Sequence, residues 1–242
     1  MLAFACYVKK NMIVQPIKTI LFKENGDLFS FLNKYLPKLK NKDVVIVTSK
    51  IVALSEGRFC VVKNQKEKDE IIKSESEWAM KTKYVWLTIK DGDVLANAGV
   101  DESNANGKLI LLPKDSFDSA KKIRNYLMKK NKLKKLGVII SDSRLLPLRA
   151  GVVGVALGYA GFKGIKNYIG KPDLFGKPFQ FSKTDIADSL ATAAVLTMGE
   201  GKEKKPLALI SDAPVEFTNT TNRKELKIDI QEDIYKPLFE KL

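Results

Sequence analysis

LGVIISDSR, residues 136–144, decides how the chain is built. Leu136 to Ile140 is a continuous apolar run of the kind that forms a strand buried on both faces. Ser141, Asp142, Ser143 and Arg144 follow it directly, so the expected strand delivers a carboxylate and two hydroxyls at its end. The same form occurs at VVIVTSK, where Val44 to Val47 ends in Thr48, Ser49 and Lys50. It occurs again at LANAGVDESN, residues 95–104, where Val94, Leu95 and Ala96 lead into a turn at Asn97, Ala98 and Gly99. Asn and Gly tolerate the positive φ of tight turns. Asp101 and Glu102 then stand beside Ser103 and Asn104. Two aspartates presented on strand ends can share divalent cations, the common way to move a phosphoryl group without imidazole. The competing reading of residues 95–104 is a plain polar turn between strands.

Composition narrows the chemistry. The chain has 242 residues, enough for one large domain or two small ones with a real core. A hydrophobic share of 45% and a charged share of 29% are those of an ordinary globular protein, not a disordered chain. The net charge of +14 suits either a polyanionic partner or a solvated lysine surface. Histidine is absent, which excludes Ser-His-Asp and Cys-His catalysis and imidazole-bound zinc. Carboxylates, lysines, hydroxyls, backbone amides or metal ions must do the work. Cys6 and Cys60 match no ligand spacing and are expected to be reduced thiols. The N-terminal MLAFACYV is too short to span a membrane, and its charges, Lys9 and Lys10, follow the apolar run instead of preceding it as in a signal peptide. A cytoplasmic protein with an early first strand is expected.

In chain order, a strand is expected over Met12–Lys18 and a helix over Asp27–Leu39 with Asp27 as N-cap. Thr48 and Ser49 can cap a short helix in KIVALSEG or bind phosphate with Lys50. Phe59–Val62 reads as a strand. Ile71, Ile72, Trp78 and Ala79 suggest an amphipathic helix, followed by a strand over Tyr84–Ile89. Leu109–Leu112 is expected to be a strand, and a helix capped by Asp115 or Ser116 runs to about Lys130. Its basic end, MKKNKLKK, reads as a solvated face complementing the helix dipole. GVVGVALGYAG (Gly151, Gly154, Gly158, Gly161) fits neither a dinucleotide fingerprint nor a Walker loop, and its glycines point to close backbone packing. Residues 167–181 form a loop or hairpin. A helix from Thr184 is capped by Ser182 or Thr184 and stopped by Gly199. GEGK, residues 199–202, can close over phosphates or simply end the helix. Leu207–Ile210 is a last buried strand, and the tail from Pro214 has no assignment.

Several ordered segments carry a resemblance. SEGR (Ser55 to Arg58), ANAGVDESN (Ala96 to Asn104), LLPKDSFDSAKKIR (Leu111 to Arg124), SDSRLLPLRAGVVGVALGYAG (Ser141 to Gly161) and GKPDLFGKPFQFSKTDIADSLATAAVLTMGE (Gly170 to Glu200) resemble the coenzyme F-420-0:γ-glutamyl ligase family, in order from about Pro16 to Ile210. The resemblance implies an α/β fold (α+β mixed sheets with flanking helices); a single domain over 1–242 is expected, the alternative being two lobes with a boundary near residues 105–135. It implies a GTP-dependent ligase that activates a carboxylate acceptor, F-420-0 or a related compound, as an acyl phosphate for attack by L-glutamate. It further implies a manganese or magnesium ion and a homodimer. By position, Asp101 and Asp142 would be catalytic and metal-binding, with Ser143 and Glu200 completing the metal set. Gln15, Pro16, Ile17, Lys18, Ser49, Lys50, Asn104, Met198, Gly199, Gly201 and Lys202 would line the nucleotide site. The chain departs from the family pattern at Leu54, where a lysine is usual, and at Leu145 and Leu146, where Gly-Arg is usual. Glu200 stands for a glutamine and ligates a dication more strongly. Lys50 or Lys202 can replace a lost cation. The alternative is a relative that binds RNA or another polyanion through its basic surface, but the aromatic–glycine signatures of common RNA modules are missing.

Overall fold

The computed structural model describes residues 11–239. The expectations for Cys6, Lys9 and Lys10 lie outside those residues. In chain order the elements are β1 (Ile13–Ile17), α1 (Leu28–Tyr35), β2 (Val44–Thr48), α2 (Ser49–Ser55), β3 (Phe59–Cys60), α3 (Gln65–Ser74), β4 (Trp78–Lys81), β5 (Trp86–Lys90), β6 (Asp93–Ala96), β7 (Leu109–Ile110), α4 (Ser116–Asn131), β8 (Gly137–Leu145), β9 (Val152–Ala160), β10 (Ile165–Asn167), β11 (Lys183–Asp185), α5 (Ile186–Met198), β12 (Leu207–Ser211) and α6 (Lys236–Phe239).

A five-stranded sheet, ordered β1-β12-β2-β8-β9, is the centre of this α/β fold. Only β2 and β8 run parallel, with Val44 opposite Gly137 and Thr48 opposite Ser141. A second sheet, β4-β5-β6, and two short pairs, β3-β7 and β10-β11, lie around it. Alternation along the strands splits the core in two. Val45, Val47, Val138 and Ile140 face α1, α2 and α4, together with Leu32, Ile123 and Leu127. Val44, Ile46 and Ile139 face α5, together with Ala187, Leu190 and Ala194. Strands covered on both sides need apolar residues at every position, which is why β2 reads as an unbroken aliphatic run.

Between Ile140 and Ser141 the pairing with β9 slips by one residue, from Gly158 to Ala156, so Leu157 forms a bulge. A bulge reverses the faces on which subsequent side chains lie. Gly158 accordingly meets the backbone of Ser116 in α4, whereas Gly154 meets Ala191 in α5. Both glycines permit close backbone packing, as the sequence suggests.

Several boundaries differ from expectation. The helix expected over Asp27–Leu39 stops at Tyr35, because Pro37 drives Leu36 into an extended conformation (φ −68°, ψ 133°). Asp27 does cap it, accepting from the amides of Phe29 and Ser30. Thr48 sits at the N-cap of α2 but makes no side-chain capping bond. Trp78 and Ala79 belong to β4, not to a helix, since α3 ends at Ser74. The strand expected over Leu136–Ile140 extends to Leu145, so Ser141–Arg144 lie within paired strand instead of after it. The strands expected over Phe59–Val62 and Leu109–Leu112 shrink to two residues each. Asp185, not Ser182 or Thr184, caps α5 and accepts from the Asp188 amide. Among the described residues, no helix is long and apolar enough to cross a membrane.

Candidate functional site

The carboxyl end of a parallel strand leaves backbone groups and loops free to hold a ligand, and here β2 ends at Thr48 beside Ser141 of β8, which runs on along β9. A cleft of about 520 Å³ opens at that point. Ser49 and Lys50, at the start of α2, form one wall, and Ser141, Asp142 and Ser143 of β8 form the floor. Asp101, Ser103 and Asn104 enter from the loop after β6, and residues 198–206 close the far side.

Each part is fixed locally. Asn97 and Ala98 adopt φ of 53°, turning the chain sharply after β6. The Asn97 side-chain oxygen accepts from the Trp86 amide at 2.9 Å and ties that turn to β5. Asp101 is then held to Ile110 by two backbone hydrogen bonds of 2.9 and 2.8 Å. The far wall is pinned where the Lys204 carbonyl accepts from the Thr19 amide at 2.8 Å and the Pro206 carbonyl from the Thr48 amide at 3.0 Å. The Asn104 side chain donates to the Gly201 carbonyl at 3.3 Å, bridging the two loops across the cleft.

One ammonium serves three carboxylates. Lys50 Nζ lies 2.7 Å from Asp101 Oδ2 and also donates to the Ser103 carbonyl at 2.8 Å. Burial works to raise the Asp101 carboxyl, but hydrogen bonds from Lys50 and Ser103 outweigh it and hold the group below the usual range. Asp142 behaves oppositely. Burial pushes its carboxyl up to about 6, against hydrogen bonds from the Ser143 amide and the Ser49 hydroxyl, and the Asp101 charge adds to the rise. Burial also raises Glu200, whose carboxylate accepts from the Ser143 hydroxyl and feels both Lys50 and Asp101.

Three carboxylates gathered in one cleft, two of them penalised as anions by burial, suit a cation. Every candidate donor is oxygen, from Asp101, Asp142 and Glu200 to the hydroxyls of Ser49 and Ser143, which suits a hard ion such as Mg²⁺ or Mn²⁺. Among the described residues no three acidic side chains close into a ready-made cage. The buried Ser141 hydroxyl has no partner among the described residues and lines the same floor, one more oxygen available to a ligand.

The cleft brings together Ser49, Lys50, Asp101, Asn104, Asp142, Ser143, Met198, Gly199, Glu200, Gly201 and Lys202. Leu54, one of the departures, also lines it. Gln15, Pro16 and Ile17 lie within β1, paired to β12, and Lys18 follows. The wall on that side is made instead by Thr19, Ile20, Leu21 and Phe22. Leu145 and Leu146 are exposed at the end of β8 and do not line the cleft. Thr19–Phe22, Asn106 and Val195 carry no sequence motif. The one available signal is the aliphatic pair Ile20 and Leu21, which remains about 60% exposed in a segment without strand or helix periodicity.

Residues 16–212 match the family described as F420-0:Gamma-glutamyl ligase. Among curated relatives, a "Coenzyme F420:L-glutamate ligase" of Methanococcus maripaludis is 35% identical over 248 residues, spanning 95% of this chain and 98% of the relative. A protein of the same name from Methanocaldococcus jannaschii is 35% identical over 217 residues, covering 88% of this chain and 86% of its own. Another from Archaeoglobus fulgidus is 31% identical over 216 residues, covering 81% and 86%.

Proposed function

The chain belongs to the F420-0:Gamma-glutamyl ligase family and is a ligase, and from that premise we propose that it joins L-glutamate to a carboxylate acceptor, F-420-0 or a related compound, in a GTP-dependent reaction. The observation that carries this reading is the meeting of Asp101, Asp142 and Lys50 in one cleft where β2 ends beside β8.

In the proposed sequence, the acceptor carboxylate attacks the γ-phosphorus of GTP, forming an acyl phosphate and releasing GDP. The glutamate amine then attacks the acyl carbon, the C–O bond to phosphate breaks, and the amine loses a proton. Asp101 and Asp142 would hold Mn²⁺ or Mg²⁺, with Ser143 and Glu200 beside them. When bound, that ion supplies neutralisation of the β- and γ-phosphate charge. Lys50, at the start of α2, would pair with the phosphates. The amides and lysines of residues 199–205 cover the phosphate chain, and exposed Ile20 and Leu21 offer an apolar face to the base. The bond from Asn104 to the Gly201 carbonyl would help to hold residues 199–205 across the phosphates.

A homodimer is part of the proposal. Leu148, Leu174, Phe175 and Phe181 are about nine-tenths or more exposed in the loops after β8 and β10, apolar surface that a second copy would cover. The activity is tested by phosphate release from GTP with Mn²⁺, L-glutamate and F-420-0. Release that requires both glutamate and acceptor supports the reading, and turnover indifferent to glutamate refutes it.

A further inference from the structure

A second cavity, of about 310 Å³, lies at the β9 edge of the main sheet, between the N-terminal ends of α4 and α5 and the β5–β6 turn. Its outer wall comes from the tail, through Arg223, Leu226 and Lys227, beyond residue 212 where the family match ends. The tail is anchored there by several bonds. Arg223 pairs with Asp115, and Glu225 accepts from the Tyr159 hydroxyl and from the Gly164 amide. Lys227 donates to the Asp91 carbonyl.

The charges inside this cavity are of both signs and incompletely matched. Arg144 reaches Asp93 at 3.2 Å, yet its Nε is buried with no partner among the described residues. Lys114, an exposed residue, also lines the cavity. Asp185 and Asp188 line it too: Asp185 accepts from the Asp188 amide, and Asp188 accepts from the Ala156 amide and feels the Arg144 charge. A polyphosphate would be repelled by the aspartates, and an apolar ligand would leave both signs unpaired. The volume lies at the small end of ligand sites, roughly 300–1,000 Å³. What fits is a small zwitterion with more than one carboxylate.

We propose that this cavity seats the free amino-acid substrate, L-glutamate, with Arg144 and Lys114 holding its carboxylates and Asp185 and Asp188 receiving its ammonium. The assignment rests on the ligase reading for the identity of the ligand, and on the cavity itself for its place. Strand β8 links the two sites. Asp142 lines the cleft and Arg144, two residues further along the same strand, lines the cavity, their Cα atoms about 7 Å apart.

The test is calorimetric titration of the full chain, saturated with Mn²⁺ and a non-hydrolysable GTP analogue, with L-glutamate and with glutarate, which lacks the ammonium. Arg144→Gln and Lys114→Gln are compared with wild type, with melting temperature and GTP-analogue affinity as controls. The expected result is binding of L-glutamate to wild type, at least tenfold weaker binding of glutarate, and at least tenfold weaker binding of L-glutamate to Arg144→Gln. Lys114→Gln, whose side chain is exposed, keeps its stability and nucleotide affinity but binds glutamate more weakly. In turnover it shows a raised KM for glutamate with kcat little changed. Folded variants that bind glutamate as wild type does, or a wild-type protein that ignores glutamate, overturn the assignment. Glutamate-dependent GTP turnover with an unchanged KM in Lys114→Gln removes the cavity but leaves the ligase reading. Glutamate binding that is lost in Arg144→Gln, without any GTP turnover in wild type, does the reverse.

Discussion

Lys50 Nζ sits 2.7 Å from the Asp101 carboxylate and is the cation that both Asp142 and Glu200 also feel. A lysine placed among carboxylates competes with a metal ion for the same charge. Replacing it with Met is predicted to tighten Mn²⁺ binding in the absence of nucleotide. The same change removes a charged donor from the phosphates, an interaction worth about 1.5–3 kcal/mol, so GTP affinity should fall roughly tenfold or more. Titrations of Lys50→Met with each ligand separately check the opposite signs. A parallel loss of both would mean that Lys50 only supports the fold.

Gly158 gives a packing prediction. A methyl group there meets the Ser116 backbone, which no side-chain rotation relieves. Gly158→Ala should destabilise the chain by about 3 kcal/mol, at the upper end of ordinary overpacking. Gly107→Ala meets nothing within 4 Å and is strained only through its φ of 79°, so about 1 kcal/mol is expected. Urea unfolding of the two variants should show that ranking, and equal losses would deny that α4 packs on β9 through Gly158.

How much of this was legible in the sequence depends on which force placed a residue. Asp27 and Asp115 could be read as caps because capping is local, and β2 because burial on both faces writes itself as an aliphatic run. The end of α1 was missed, although Pro37 marks it. Beyond Ile140, β8 is held by hydrogen bonds to β9, not by apolar side chains, so hydrophobicity could not reveal its length. The acidic residues of the cleft stand out as polar interruptions after apolar runs. Thr19–Phe22 do not, because only the β1–β12 pairing and the bond from Thr19 to Lys204 carry them to the cleft.

Asp185 makes stability depend on pH. Burial, reinforced by the carboxylates of Asp188 and Glu225, raises it from its ordinary 3.8 to about 6. A carboxyl raised on folding binds its proton more tightly in the native state, so stability falls as pH rises from about 4 to about 6 and is level above that. Asp185→Asn retains an N-cap for α5. It should stabilise the substrate-free protein at pH 8 by at most about 3 kcal/mol, a gain that disappears below pH 4. Melting curves across that range check it, and a gain that grows towards low pH would contradict the sign.

The central claim is that Asp101 and Asp142 hold a metal–nucleotide complex between them. Its most direct measurement is the affinity of GTP in the presence and absence of Mn²⁺ for the wild type, Asp101→Asn and Asp142→Asn. The account predicts that Mn²⁺ strengthens GTP binding to wild type and that either substitution, in a protein that still melts cooperatively, removes most of that gain. Undiminished Mn²⁺-dependent GTP binding in both variants would contradict it.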